Sequence, residues 1–388
     1  MKLKTLPEDF AVRERYDLRG VGADGPFLYL RVEKRRLSTP EAAARVAAAA
    51  GVQPDAVRFA GLKDRRAITT QIFSVEGAAP FEIDDEDLRA EGIGWSAHPV
   101  RADRIEGNDF EIVARDLDDA ELERLRRGVD AVRAHGLPSY FDDQRFGAAR
   151  AGKGFPAREM IRGRADEALR LLIATPSVLD PPAHAERKAK LAAAWGRWTE
   201  CLALAQGVQE EGAFRHLRDH DGDFLGALRF VSRRERLFQL FAYQSLLWNR
   251  ALDRLVRARV PPDRLVSIES ESGALAAWRS LEAGEAARFS ATDLRLPDHR
   301  TRSDDAEVAV ALEAACAEDG LRVADLRIPK LRGFQFREEC RACVLRPERL
   351  EVGAPEPDEL HPGRRKASVT LSLPRGAYAT LVVKRAVA

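Results

Sequence analysis

The chain predicts a mixed strand-and-helix domain, α/β or α+β, interrupted by a helical insert. Three observations carry this. Strand and helix patterns alternate over the first 150 residues, helical periodicity takes over from about Ala151, and strand patterns return near the C-terminus. Mixed elements of this kind are the signature of layered sheet-and-helix domains. Phe10-Ala11-Val12 and Phe27 to Val32 read as strands. Ser38-Thr39-Pro40-Glu41 opens an alanine-rich helix, with Thr39 as N-cap and Pro40 in the first turn, and Gly51 closes it. Val57 to Ala60 and Thr69 to Val75 flank a charged turn as strands, and Phe110 to Val113 is another. Leu122, Leu125, Val129 and Val132 fall on one face of a helix over Asp119 to His135 that Gly136 ends. In the insert, Glu159 to Ile173, Ala185 to Ala205 and Arg234 to Ala258 read as helices. Glu351 to Lys366 reads as a loop, and Ala367 to Leu373 and Ala379 to Lys384 read as strands joined by a Pro374-Arg375-Gly376 turn.

At 388 residues and 45% hydrophobic, the chain can bury a substantial core without staples. A mean hydropathy of −0.35 and no long apolar run argue against a membrane span. The first residues, MKLKTLPEDFAVRERYDL, lack the apolar core of a signal peptide, and four cysteines make no disulfide framework, so a cytoplasmic setting is expected. The net charge of +1 gives no overall basic excess. A polyanion site must therefore come from local clusters such as Lys34-Arg35-Arg36, Lys63 to Arg66 or Arg364-Arg365-Lys366, each of which could equally be a solvated face.

Chemistry concentrates in FAGLKDRRAITTQIFSV, Phe59 to Val75, where Asp64 sits between Lys63 and the pair Arg65 and Arg66. Nearby positive charge favours an ionised carboxylate. Such a group can act as nucleophile or base, and the same cations can grip a phosphate backbone. Cys340 and Cys343 form a single CxxC without a second pair or a spaced His, so they read as ordinary thiols. No Walker A, GxGxxG or GxSxG motif occurs, leaving a nucleotide cofactor without support.

AGLKDRRAITTQ (Ala60 to Gln71) resembles the AGxKDxxAxTxQ signature of the TruD family of tRNA pseudouridine synthases. Four further segments resemble family motifs in the same order. They are PEDF at Pro7 to Phe10, GNDF at Gly107 to Phe110, YFDDQRFG at Tyr140 to Gly147, and LPRGAYAT at Leu373 to Thr380. The resemblance implies an α+β fold, a pseudouridine-synthase-type mixed, largely antiparallel sheet. The catalytic domain would comprise residues 1–150 and 339–388, and a mainly helical insertion 151–338.

It also implies an RNA uridine isomerase that needs no cofactor, ATP or metal. The expected substrate is tRNA, the family's usual target being the uridine at position 13 in the D-arm, and a monomer is expected. The family's nucleophile maps onto Asp64, to attack ribose C1′ or assist departure of the base, and the basic residue that pairs with it maps onto Lys4. Phe10, Phe110 and Tyr378 fall on substrate-contacting aromatic positions, and Asn108 on the substrate-contacting Asn. By pattern alone, Phe10 and Phe110 read as core, Asn108 as a turn residue and Lys4 as surface. Lys63, Arg65, Arg66 and Arg145 remain as candidate contacts to the RNA backbone, with a structural pairing the other reading of Arg145. Two positions depart from the family pattern: Arg66 stands where bacterial members usually carry His, and Tyr378 where Phe is usual.

Overall fold

The computed structural model describes residues 1–149, 154–177, 180–270, 273–328, 335–336 and 339–388. Two compact units result: residues 1–136 with 346–388, and residues 137–345. Residues 150, 151 and 338, where the sequence reading sets its boundaries, lie outside the described ones; Tyr140 to Gly147 belongs to the second unit.

The first unit begins with β1 (Phe10–Tyr16), β2 (Phe27–Arg35), α1 (Thr39–Ala50), β3 (Val57–Phe59), β4 (Ile68–Glu76), β5 (Ile83–Asp84), β6 (Leu88–Ser96), β7 (Ile105–Leu117) and α2 (Asp119–His135). The second unit runs through β8 (Leu137–Pro138), α3 (Pro156–Ile161), α4 (Ala165–Ile173), α5 (Pro182–Ala193), α6 (Trp198–Leu204), α7 (Glu211–Asp219), α8 (Phe224–Ala227), α9 (Arg233–Arg259), β9 (Leu265–Ile268), β10 (Leu275–Trp278), α10 (Ala283–Ser290), α11 (Ala306–Ala317) and β11 (Val344–Leu345). The chain then re-enters the first unit with β12 (Arg349–Val352), β13 (Glu356–Pro357), β14 (Arg365–Pro374) and α12 (Ala379–Val387).

One sheet spans the first unit in the order β12-β14-β7-β1-β4-β2-β6-β5, with β13 on β14 and β3 on β4. Its pairs are antiparallel except β1 with β4, so the sheet is mixed and largely antiparallel. α1 covers one end, where Ala42, Val46 and Ala47 pack with Leu28, Leu30, Val32 and Phe73. At the other end α2 and α12 lie together, and a Cβ on Gly128 would stand 1.8 Å from the Ala386 carbonyl oxygen. Among the described residues, no helix is long and apolar enough to cross a membrane.

The structure corrects several element readings. Ala379 to Lys384 is the start of α12, not a strand: its apolar run supplies the buried Leu381, Val382 and Val383 of a helix, so packing overrides the β propensity of the two valines. Glu351 to Lys366 is only partly loop, because β12, β13 and the start of β14 pair within it. The helix expected over Glu159 to Ile173 is two, broken near Gly163, and that over Ala185 to Ala205 is two, broken at Gly196; both glycines take positive φ, 77° and 90°. Ser38 rather than Thr39 caps α1, accepting from the Glu41 N–H in a capping box. β6, with Gly92 and Gly94 inside it, was not read from the sequence at all.

Candidate active site

Register places the site on one face of the sheet. Phe10 pairs with Ile112, Val12 with Phe110 and Glu14 with Asn108 across β1 and β7, while Val12 aligns with Thr69 on β4. Because strand side chains alternate, Phe10, Val12, Glu14, Asn108 and Phe110 share a face. Gly107 precedes Asn108 where β7 and β14 close tightly: a Cβ there would lie 2.4 Å from the Leu373 carbonyl oxygen.

Asp64 lies in the loop between β3 and β4, whose backbone hangs on polar side chains from neighbouring elements. The Thr39 hydroxyl donates to Gln71 Oε1 (3.0 Å) and accepts from the Lys63 N–H (3.0 Å), and Gln71 Nε2 donates to the Gly61 carbonyl (3.1 Å). Lys34, 1% exposed, donates to the carbonyls of Asp64 (3.0 Å) and Leu37 (2.7 Å). Burial pushes the Lys34 amine down to about 8, against the opposing pull of the Asp64 charge. These bonds fix the main chain and leave the Asp64 carboxylate partly open.

Lys4 Nζ stands 2.8 Å from Asp64 Oδ2, and the Arg66 N–H donates to Oδ1 at 3.0 Å. The Asp64 and Lys4 side chains remain 23% and 24% exposed, so a substrate atom can reach the carboxylate. Burial raises the Asp64 carboxyl, but Lys4, the Arg66 N–H and Lys34 together hold it below the ordinary carboxylate range. Lys4 has φ of 56°, an uncommon conformation for a lysine and of the kind found where function constrains the backbone. Its segment is anchored by a buried charge pair, since Asp9 accepts from Arg115 at 2.9 Å and from the Leu6 N–H at 2.8 Å. Arg115 also reaches Asp358 at 3.0 Å, and its bond to Asp9 outweighs burial in holding the guanidinium charged.

The aromatic positions continue from this ion pair. Lys4 Nζ lies 4.0 Å from the Phe10 ring centroid, and Phe10 meets Phe110 edge to face at 6.0 Å. Phe10 is buried and Phe110 half-buried, making Phe10 a support and Phe110 the more available face. Half-buried Tyr378 occupies the N-terminal boundary of α12, one turn beyond the β14 residues that pair with Gly107 and Asn108.

Lys63 departs from its sequence reading as a phosphate contact. It turns inward, 2.8 Å from the fully buried Glu14 carboxylate and 2.7 Å from Asn108 Oδ1. Nor do Arg65 and Arg66 neutralise Asp64 with their side chains. Arg65 reaches the Arg36 carbonyl (3.1 Å) and Glu41 (3.4 Å), and Arg66 contributes its backbone N–H while its side chain is exposed. Arg145 belongs to the second unit, bonded to Ser245 Oγ at 3.2 Å and stacked by Phe141 and Phe241. Of the other basic clusters, Lys34 is buried and Arg364 is held by Asp116 and Glu121. Sequence reasoning missed the roles of Lys34 and Glu14, though alternation carried a signal. Each continues a buried set, Leu28-Leu30-Val32-Lys34 and Phe10-Val12-Glu14, in which a charged residue must have a partner.

A family model described as tRNA pseudouridine synthase D (TruD) matches residues 1–386. Among the similar curated proteins, the probable tRNA pseudouridine synthase D 1 of Methanococcus maripaludis is 28% identical over 392 residues, 99% of each chain. The tRNA pseudouridine synthase D of Leptospira interrogans is 26% identical, covering 99% of this chain and 95% of its own. A solved structure described as a putative tRNA pseudouridine synthase D from Methanosarcina mazei aligns with a TM-score of 0.72 at 24% identity, covering 100% of this chain and 93% of the other. That likeness confirms the α+β fold class.

Proposed function

The chain belongs to the TruD family of tRNA pseudouridine synthases, RNA uridine isomerases, and on that premise we propose that Asp64 is the nucleophile acting on a uridine at position 13 in the D-arm of tRNA. The observation that carries the reading is the 2.8 Å pair between Lys4 and a partly open Asp64 carboxylate kept below its ordinary pKa. An ionised Asp64 attacks ribose C1′ as the N1–C1′ bond breaks and its electron pair leaves with the base. The freed base turns, C5 bonds to C1′ and displaces the carboxylate, C5 loses its proton, and N1 takes one up. Lys4 keeps the carboxylate charged when the substrate displaces water, the step at which desolvation would otherwise protonate it.

The uridine must leave its stack to reach Asp64, at a cost of a few kcal/mol. Phe110 and Tyr378 offer aromatic faces to offset it, each stacking contact contributing about 1–3 kcal/mol, with Phe10 behind Phe110. Arg65 and Arg66 are exposed cations in the Asp64 loop that can meet phosphate. The unit of residues 137–345 is the family-type insertion and holds RNA, and the enzyme works as a cytoplasmic monomer. The test is incubation with unmodified tRNA, without ATP or added metal, followed by nucleoside analysis and mapping of the product. Pseudouridine at position 13 is expected; none in any tRNA would sink the reading, and a product elsewhere would move the target.

A further inference from the structure

We propose that Lys63, backed by Glu14, locks the Asn108 amide in the orientation that reads uracil and rejects cytosine. The inference rests on the uridine reading above and gives Lys63 a positioning role in place of a phosphate contact.

What each group can donate decides how the amide is turned. A lysine ammonium has three donors and no acceptor. Lys63 Nζ lies 2.7 Å from the Asn108 side chain, so the amide must turn its oxygen, not its NH2 group, toward Lys63. Amide orientation is commonly ambiguous, but a donor-only neighbour removes the ambiguity. The lysine cannot easily swing away. Its side chain is 12% exposed and paired at 2.8 Å with Glu14, which is itself fully buried and accepts from the Ile72 N–H at 3.2 Å. Glu14 sits directly opposite Asn108 in the β1–β7 register, so counter-charge, lysine and amide are set by one strand pairing.

The consequence falls on the free side of the amide. Among the described residues, Asn108 Nδ2 has no partner, and Oδ1 keeps a second lone pair beside the one used by Lys63. The amide therefore presents a donor and an acceptor in fixed order. Uracil offers the matching pair on its Watson–Crick edge, the N3–H donor and the O4 acceptor. Cytosine offers the reverse, an N3 acceptor and an N4 amino donor. An asparagine free to turn over could serve either base, whereas one held by Lys63 serves uracil and opposes cytosine with donor against donor and acceptor against acceptor. A base drawn out of its stack is read on this edge.

The test uses a tRNA in which the wild-type protein makes pseudouridine, and the same tRNA with that uridine replaced by cytidine. Absence of pseudouridine from every tRNA would sink the functional reading before this comparison begins. Affinities are measured in the Asp64→Asn protein, so that the uridine stays intact. With Lys63 present, the uridine tRNA is expected to bind roughly ten- to a hundredfold more tightly, the discrimination of one good bidentate contact. The double substitution Glu14→Gln with Lys63→Met removes both charges, leaves neither buried alone, and should bring the ratio to within about twofold. A merely structural role would lower both affinities and keep their ratio. A ratio unchanged in the folded double variant overturns the proposal. Equal affinities with Lys63 intact overturn it without any variant.

Discussion

Asp64 in the first unit and Asp319 in the second are both partly desolvated carboxylates held charged by cations, yet their surroundings are opposite. Asp319 is saturated: Arg158 reaches one oxygen at 3.0 Å, while Tyr243 (3.0 Å) and Arg250 (2.7 Å) reach the other, and its side chain is 4% exposed. Asp64 has one cation and one backbone N–H, and is 23% exposed. In both, burial raises the carboxyl and neighbouring cations more than offset it. A depressed pKa therefore does not by itself mark a reactive group. What separates the two is whether the charge retains room for another partner, and only Asp64 does.

Stability should divide the pair most sharply. Asp319→Ala leaves the buried Tyr243 hydroxyl without its acceptor and takes one of two carboxylate partners from each of Arg158 and Arg250, and should cost about 3 kcal/mol, whereas Asp64→Ala should cost under about 1 kcal/mol because Lys4 can be rehydrated. Denaturant unfolding checks both, and equal losses would erase the distinction. Next, Gly107→Ala drives a methyl into the Leu373 carbonyl. A loss of about 2 kcal/mol is expected, with pseudouridine formation falling further than stability because Asn108 is adjacent.

A smaller effect sharpens the electrostatic side. With Lys4 in place, Asp64 stays ionised below the ordinary carboxylate value of about 4, so the acid limb of kcat/KM should lie beneath it. Lys4→Met removes the main opposition to burial and should move that limb upward, as a pH–rate profile would show. The same depressed pKa makes Asp64 contribute stability above its unfolded value, and that contribution fades as pH falls through the folded one. The smallest change is expected from Arg66→Ala. Its exposed side chain should leave stability within about 0.5 kcal/mol and reduce the salt dependence of RNA binding by about one phosphate contact. An unaltered salt slope would remove Arg66 from the RNA contacts.

The same contrast explains what could be read from sequence. The segments that carry Asp64 and Asn108 were legible because their motifs are contiguous and ordered along the chain, whereas the pairing of Lys4 with Asp64, which the structure has at 2.8 Å, came from the family resemblance and not from pattern. The direction of Lys63 was not, because its partner Glu14 is 49 residues away and meets it only through strand register. Arg65 and Arg66 looked like neighbours of the Asp64 charge, but a tight loop points adjacent side chains apart. α1, α2 and α9 were legible from periodicity and caps, while α12 was not, since Leu381, Val382 and Val383 fit a strand pattern until α2 is packed beside them. β6 lacks an unbroken apolar alternation and is drawn into the sheet by its pairing with β2.

The central claim is that Asp64 performs the chemistry, and joining the base through C5 must release the hydrogen carried there. Tritium release from tRNA labelled at uridine C5, under single turnover with saturating protein, tests this most directly. The wild-type protein should release one tritium per modified site. Asp64→Asn should bind the same tRNA and release none, and release by that variant at the wild-type rate would contradict the account.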